Sequence, residues 1–355
     1  MCNSHYPILC IIPPHMLEKV VENGSEQIRI KALRLLKQSN HFRTQRSLIQ
    51  DRPEPVREFL ATEVDAHSSE KIRRLYDAQH TETLPGVLIR SENDPATEDQ
   101  AANKAFDAAG ATWDLYMEEY GRNSIDDAGM IIDQTVHYGQ DFNNAFWNGE
   151  QMVYGDGDGE LFNRFTADLD VIAHELTHGV TQHEANLVYF YQSGALNESF
   201  SDVFGSLVKQ RHLNQDATEA DWLIGANILI GEEYALRSMK APGTAYHNHP
   251  IIGNDPQPAT MDDYRPLPPW EDNGGVHINS GIPNHAFYIA AMEIGGKAWQ
   301  KAGWIWYRTL ADKLGRTSSF SRAARATIEV ARESFGRGSL EAQAVKKAWQ
   351  EVKVI

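Results

Sequence analysis

The chain has 355 residues, 41% hydrophobic and 23% charged, with only two cysteines. That length holds two or three domains with a sizeable core, and no apolar run approaches the roughly 18 residues that cross a bilayer. The net charge of −16 argues against nucleic acid as the main partner.

The charge is uneven. Residues 1 to 50 hold seven Lys/Arg and three Glu, a balance of +4, which leaves −20 for the remainder. A basic head and an acidic body attract each other. Cys2 and Cys10 both lie in the head, so disulfides do not hold the body together.

In chain order, the apolar run PILCIIPP (7 to 14) comes first. It lacks a basic leader and is cut short by two prolines, which makes a poor signal peptide. Any export therefore follows a route without an obvious signal, and a cytoplasmic precursor stage is compatible with this. After PPHML, residues 25 to 46 read as a helix, with Ser25 as N-cap and Ile28, Leu33, Leu35 and Leu36 supplying apolar surface. QDRPEP (50 to 55) reads as a linker. Three units follow: a pro-segment over 1–52, a β-rich lobe over 53–182 and a helical lobe over 183–355. Residues 95 to 121 read as a helix with Pro and acids in its first turns. GMIIDQTVHYG and NNAFWNGEQMVYGDGDGEL read as short strands joined by Gly-rich turns. From residue 166 onward the periodicity is mostly helical.

AHELTH (173 to 178) carries the chemistry. Positions i and i+4 share a helix face, so His174 and His178 can both reach one zinc ion at about 2.0–2.1 Å. Glu175 lies one position on, within reach of a water on that ion; this is the HExxH pattern of zinc hydrolases. Leu169, Ile172, Leu176 and Val180 form a second, apolar face. A catalytic zinc needs a third protein ligand. In SGALNESFSDVFGSLV (193 to 208), Leu196, Phe200, Val203, Phe204, Leu207 and Val208 make an apolar face, while Glu198 and Asp202 share another. Read alone, that acidic pair fits a solvated face. Beside HExxH, one acid can ligate the metal and the other can hold a ligand imidazole.

HELTH followed by NESFSD resembles the thermolysin-like neutral metalloproteases, the glutamate-zincin group. The blocks NNAFWNGEQMVYGDGDG, SGALNE, ALRSM and DNGGVHINSGIPN match in order, over most of residues 70 to 355. The resemblance implies an α+β fold of two lobes, β-rich then all-α, with the zinc-binding helix between them. It implies His174, His178 and Glu198 as zinc ligands, Glu175 as the base that deprotonates water, and Asp202 as the partner of His174. His277, held by Asp272, and Tyr189 would face the oxyanion. Arg237 would bind a substrate carbonyl, with Asn144 and Ala145 on the peptide backbone. Phe162, Phe165, Val171 and Leu236 would line the pocket for the residue after the cut bond, which predicts cleavage before Leu, Ile, Phe or Val with broad selectivity.

The chain departs from the family pattern in two places. Many relatives hold a calcium pair behind the zinc helix, but here Asp170 and Asp221 are joined by Lys209 and DWLIGAN where further acids belong. Calcium takes six to eight oxygens, several of them carboxylate, so the double site reads as lost, with the Lys209 ammonium near Asp170 in its place. The short head, with PPHML, resembles the pro-segment of the protealysin-like branch, which implies an intramolecular inhibitor removed by cuts near residues 47 to 65. Bonds before Leu48, Ile49, Val56 or Phe59 suit the pocket. A Cys2 thiolate at zinc's open position is one way to keep the enzyme off; the plainer reading of Cys2 and Cys10 is incidental apolar residues or a mutual pair. His15, His183, His247, His249 and His285 read as surface or packing residues, and HNHPIIGNDPQPAT as a loop. The competing functions are a non-catalytic protein that keeps the fold and acts by docking, and a zinc hydrolase of smaller substrates.

Overall fold

A computed structural model describes residues 9–37, 70–231 and 234–355. The linker, the expected maturation cuts and Cys2 lie outside the described residues.

The N-terminal lobe is built on a six-stranded mixed sheet. Its strands are β1 (Leu9–Cys10), β2 (Arg73–Asp77), β3 (Val87–Ser91), β4 (Ile132–Val136), β5 (Ala145–Trp147) and β6 (Met152–Tyr154), in the order β1-β5-β6-β4-β2-β3. β2–β4 and β4–β6 are parallel; the other pairs are antiparallel. The edge strand β1 comes from the head, with Leu9 opposite Trp147 and Cys10 opposite Phe146.

The head continues as helix α1 (Pro14–Asn23), where Pro occupies the first turn and needs no hydrogen-bond partner for a missing N–H. A second helix, α2, runs over residues 26 to 37 as far as it is described. Ser25 Oγ accepts from Ile28 N at 3.5 Å, the expected cap in a loose form. Ile28 and Leu35 are buried as expected, but Leu33 is 52% exposed and Ala32 takes its place inward. The helical period puts 28, 32 and 35 on one stripe and turns 33 away from it. Among the described residues, Lys31–Asp141 at 3.0 Å is the ion pair that joins head to body. Among the described residues, the head also contributes Ile11, Ile12, Met16, Leu17, Val20 and Ile28 to the central apolar cluster.

Helix α3 (Gln100–Tyr120) covers the sheet. It starts five residues after Pro95 because Asp99 caps it, accepting from Ala101 N at 2.7 Å. Helices α4 (Leu169–His183) and α5 (Tyr191–His212) pack against each other at the centre. Every residue of α4 from Asp170 to Thr181 is buried. Gly205 permits the close approach: a Cβ there would lie 2.5 Å from Asp170 O.

A short ribbon of β7 (Leu223–Ile224) and β8 (Arg237–Ser238) precedes α6 (Asp272–Asn279), α7 (Gly281–Ile294), α8 (Lys301–Asp312), α9 (Phe320–Phe335) and α10 (Leu340–Glu351). The chain thus has a β-sheet N-terminal lobe and a helical C-terminal lobe with α4 between, as the motif resemblance implied. No described helix is long and apolar enough to cross a membrane.

Candidate metal centre and cleft

Two consecutive turns of α4 present His174 and His178 to Glu198 on α5. The Nε2 atoms of both histidines lie 3.5 Å from the Glu198 carboxylate, His174 from Oε2 and His178 from Oε1. All three side chains are at most 1% exposed, and their ligating atoms fall within 4.8 Å of one another. His174 Nε2 and Glu198 Oε2 are enclosed and have no hydrogen-bond partner among the described residues. Such atoms are destabilising unless a cation receives them. The donor set, two imidazoles and a carboxylate, is that of a catalytic zinc with a fourth position left over. The residues present therefore fit the ion.

The outer nitrogens fix the tautomers. His174 Nδ1 donates to Asp202 Oδ1 at 2.8 Å. His178 Nδ1 donates to Asn197 Oδ1 at 2.8 Å, with Ser201 Oγ 3.0 Å away. Each bond leaves the Nε2 lone pair for a metal. Asp202 is a hub: it also accepts Arg237 Nε and Nη2 at 2.8 Å each, and Asn284 Nδ2 at 2.8 Å. Burial opposes its ionisation, but the Arg237 guanidinium and His174 hold it well below the usual carboxylate range. The acidic pair that fits a solvated face when read alone is wholly interior.

Glu175 Oε2 accepts from Trp147 N at 3.2 Å, while Oε1 is enclosed with no hydrogen-bond partner among the described residues. Burial, and then the charge of Glu198, raise its pKa well above that of a free glutamate. His277 reaches the centre from α6. Its backbone approach is a left-handed run, with φ of 48° at Asp272, 50° at Asn273, 80° at Gly274 and 84° at Gly275. A Cβ on Gly274 would meet the Tyr191 ring at 2.4 Å, so that position requires glycine. His277 Nδ1 donates to Asp272 Oδ1 at 2.5 Å. Burial lowers the imidazole's pKa, yet the Glu198 and Asp272 charges outweigh it and raise it overall. Tyr189 Oη donates to Glu198 Oε1 and lies 3.1 Å from His277 Nε2.

The head threads through this cleft. His277 Nε2 meets Cys10 O at 3.1 Å. Ile11 N donates to Ala145 O at 3.3 Å, and Ile11 O accepts from Arg237 Nη1 at 3.2 Å. Ile12 N donates to Asn144 Oδ1 at 3.2 Å. Ile11 is fully buried, in the apolar cluster that also holds Phe162, Phe165, Val171 and Leu236, each at most 1% exposed. His174, Glu175, His178, Tyr189, Glu198, Asp202, Arg237, Asp272 and His277 thus come together around α4 and α5, with Asn144 and Ala145 meeting the head at β5. Reading by motif missed Asn197, Ser201 and Asn284 as partners of the centre, and Cys10 to Ile12 as the segment in the cleft. Asn197 was open to discovery, sitting in the quoted NESFSD block beside Glu198.

Behind the zinc helix, Lys209 Nζ donates to Asp170 Oδ2 at 2.7 Å and to Leu223 O at 2.7 Å, and lies 3.0 Å from Asp221 Oδ1.

Two family models match the chain: the thermolysin metallopeptidase catalytic domain over residues 58–182 and its alpha-helical domain over 185–354. The chain is 48% identical over 351 residues to the extracellular metalloprotease of Pectobacterium carotovorum subsp. carotovorum, covering 98% of this chain and 97% of that one. It is 46% identical over 356 residues to protease PrtS of a Photorhabdus strain, covering 99% and 93%. The solved precursor of protealysin, a metalloproteinase from Serratia proteamaculans, superposes with a TM-score of 0.86 at 48% identity, over 98% of this chain and all of that one. With both lobes matched by the family models and relatives this similar along nearly its whole length, the chain belongs to the thermolysin family of metallopeptidases.

Proposed function

We propose that the chain is a zinc endopeptidase held latent by its own head, which occupies the cleft as a peptide substrate does. The observation that carries this is the set of four backbone contacts made by Cys10, Ile11 and Ile12 with His277, Ala145, Arg237 and Asn144. Those are the contacts expected for the residues flanking a scissile bond. The Cys10 carbonyl beside His277 and the burial of Ile11 support this reading.

His174, His178 and Glu198 would hold the ion. When bound, zinc supplies a Lewis acid that acidifies water and polarises a carbonyl. Glu175 takes the proton of the attacking water and passes it to the leaving amine nitrogen. Protonated His277, oriented by Asp272, and the Tyr189 phenol donate to the carbonyl oxygen as it becomes negative. Asn144, Ala145 and Arg237 hold the peptide extended against β5. Phe162, Phe165, Val171 and Leu236 accept a bulky apolar residue after the cut bond.

The Lys209 ammonium replaces calcium between Asp170 and Asp221, as its contacts with oxygens of Asp170, Leu223 and Asp221 support. The name of the Pectobacterium relative supports action outside the cell. The units 1–52, 53–182 and 183–355 serve as pro-segment and two lobes. The test is zinc content and hydrolysis of a blocked Gly-Leu peptide for the chain after head removal and for its Glu175→Ala variant. Metal retained with activity lost is the expected result; equal activity in both overturns the reading.

A further inference from the structure

A second cluster of metal-ligating side chains lies at the strand ends of the N-terminal sheet. His80 follows β2, His137 follows β4, and Asp156 follows β6. We propose that these three residues form a peripheral site for a divalent transition metal, separate from the cleft.

The geometry is that of a ligand set. The ligating atoms of the three fall within 4.8 Å of one another. His137 Nδ1 lies 2.9 Å from both Asp156 oxygens, and His80 Nδ1 lies 3.5 Å from Asp156 Oδ2. Donors each about 2.0–2.2 Å from a tetrahedral ion stand roughly 3.3–3.6 Å apart, so small side-chain adjustments admit the ion. The second nitrogen of His137 is already engaged: Nε2 lies 2.5 Å from Asp99 Oδ2. Two carboxylates flank the imidazole, Nε2–H donating to Asp99 and Nδ1–H to Asp156, so an ion binds at Nδ1 in place of that proton. A carboxylate behind a ligating imidazole is the usual support of a metal-bound histidine.

The backbone adds an independent observation. His80 has φ of 57° and His137 has φ of 54°, and His80 N donates to His137 O at 2.9 Å. Two non-glycine residues are thus held in the left-handed region as a hydrogen-bonded pair. Histidine tolerates this region better than most residues, but it remains uncommon, and such conformations concentrate at binding and catalytic sites. Here the paired turns bring both rings to one carboxylate.

Two imidazoles and one carboxylate select zinc, nickel, cobalt(II) or copper(II) over calcium and magnesium, which take oxygen donors. His80 is exposed, so water completes the coordination. Binding displaces the proton on His137 Nδ1, so occupancy rises with pH. The ion would tie the ends of β2 and β4 to the loop after β6. That loop continues to Asp158, which accepts from Asn143 Nδ2 at 2.6 Å, next to the peptide-binding Asn144. The site therefore serves to stiffen the cleft edge from behind.

The experiment uses the full chain, equilibrated in buffered micromolar free zinc near neutral pH and assayed for bound metal per chain, beside its His80→Tyr variant. The wild type should hold one equivalent more than the variant, whatever the occupancy of the cleft. Zinc beyond the first equivalent should raise the Tm of the wild type and leave that of the variant unmoved. Equal metal content in the two chains, or the same Tm response, overturns the proposal.

Discussion

Arg237 grips Asp202 through two parallel hydrogen bonds of 2.8 Å, and its remaining nitrogen reaches the backbone of the head at Ile11. One buried guanidinium thus joins the carboxylate that orients a metal ligand to the peptide lying in the cleft. The contact with the head and the support of His174 through Asp202 thus share one side chain.

Substituting Arg237 tests that link. Arg237→Ala leaves a buried carboxylate short of its main counter-charge, and breaking a buried pair in this way costs about 3–5 kcal/mol. Arg237→Lys keeps the charge but loses the planar fork, so it should recover part of the stability and little of the peptide affinity. Denaturant unfolding reads the first effect, and KM for a blocked peptide reads the second.

His277→Ala should leave zinc in place, because His277 is no part of the ligand set. It removes the proposed oxyanion donor, a group typically worth 10²–10³ in kcat, or about 2.7–4 kcal/mol. The expected signature is a fall in kcat with nearly constant KM and unchanged metal content.

Lys209 gives a test of the calcium substitution. The wild type should show no calcium dependence of Tm traceable to Asp170. Lys209→Glu puts a third carboxylate beside Asp170 and Asp221 and should destabilise the protein in chelator. Added calcium should restore part of the loss, since a cluster of carboxylates suits that ion. Differential scanning calorimetry with and without calcium checks both statements.

His15 makes the docking of the head depend on pH. Its Nδ1 is enclosed without a hydrogen-bond partner among the described residues, and Nε2 lies 3.3 Å from Tyr246 Oη. Burial lowers its pKa to about 4 from 6.5; the charge of Asp272 opposes the shift, and His277, Arg237 and Arg265 add to it. The released head therefore binds a proton more readily than the docked one. Docking is fully stable above about 6.5, weakens by up to roughly 1.4 kcal/mol per pH unit as the pH falls toward 4, and then levels off. Hydrogen exchange at the Ile11 and Ile12 amides, corrected for intrinsic rates, should accelerate over that window. His15→Gln, which does not titrate, should lose the part of the acceleration that His15 supplies.

Much of the centre was legible because its information is local. His174, Glu175 and His178 lie within one and a half turns, and helical geometry alone places the two imidazoles together. The same period predicted the buried faces of α4 and α5. Leu33 shows where that reasoning weakens: an apolar residue beside the stripe counted as surface for packing and emerged in solvent. The left-handed approach to His277 and the β2–β3 hairpin carried no periodic signal at all.

The amino-acid sequence by itself pointed to the HExxH helix and to the family, which rest on fixed spacings and on blocks that match in order, while the third ligand, Glu198, came only from the resemblance. Only the tertiary structure decided which segment lies in the cleft, how Asp202 gathers His174, Arg237 and Asn284, and that His80 and His137 meet at Asp156. The physical reason is separation along the chain. Cys10 and His277 are 267 residues apart, and nothing in helical or strand periodicity reports a contact made across that distance; it exists because the whole core has closed around it.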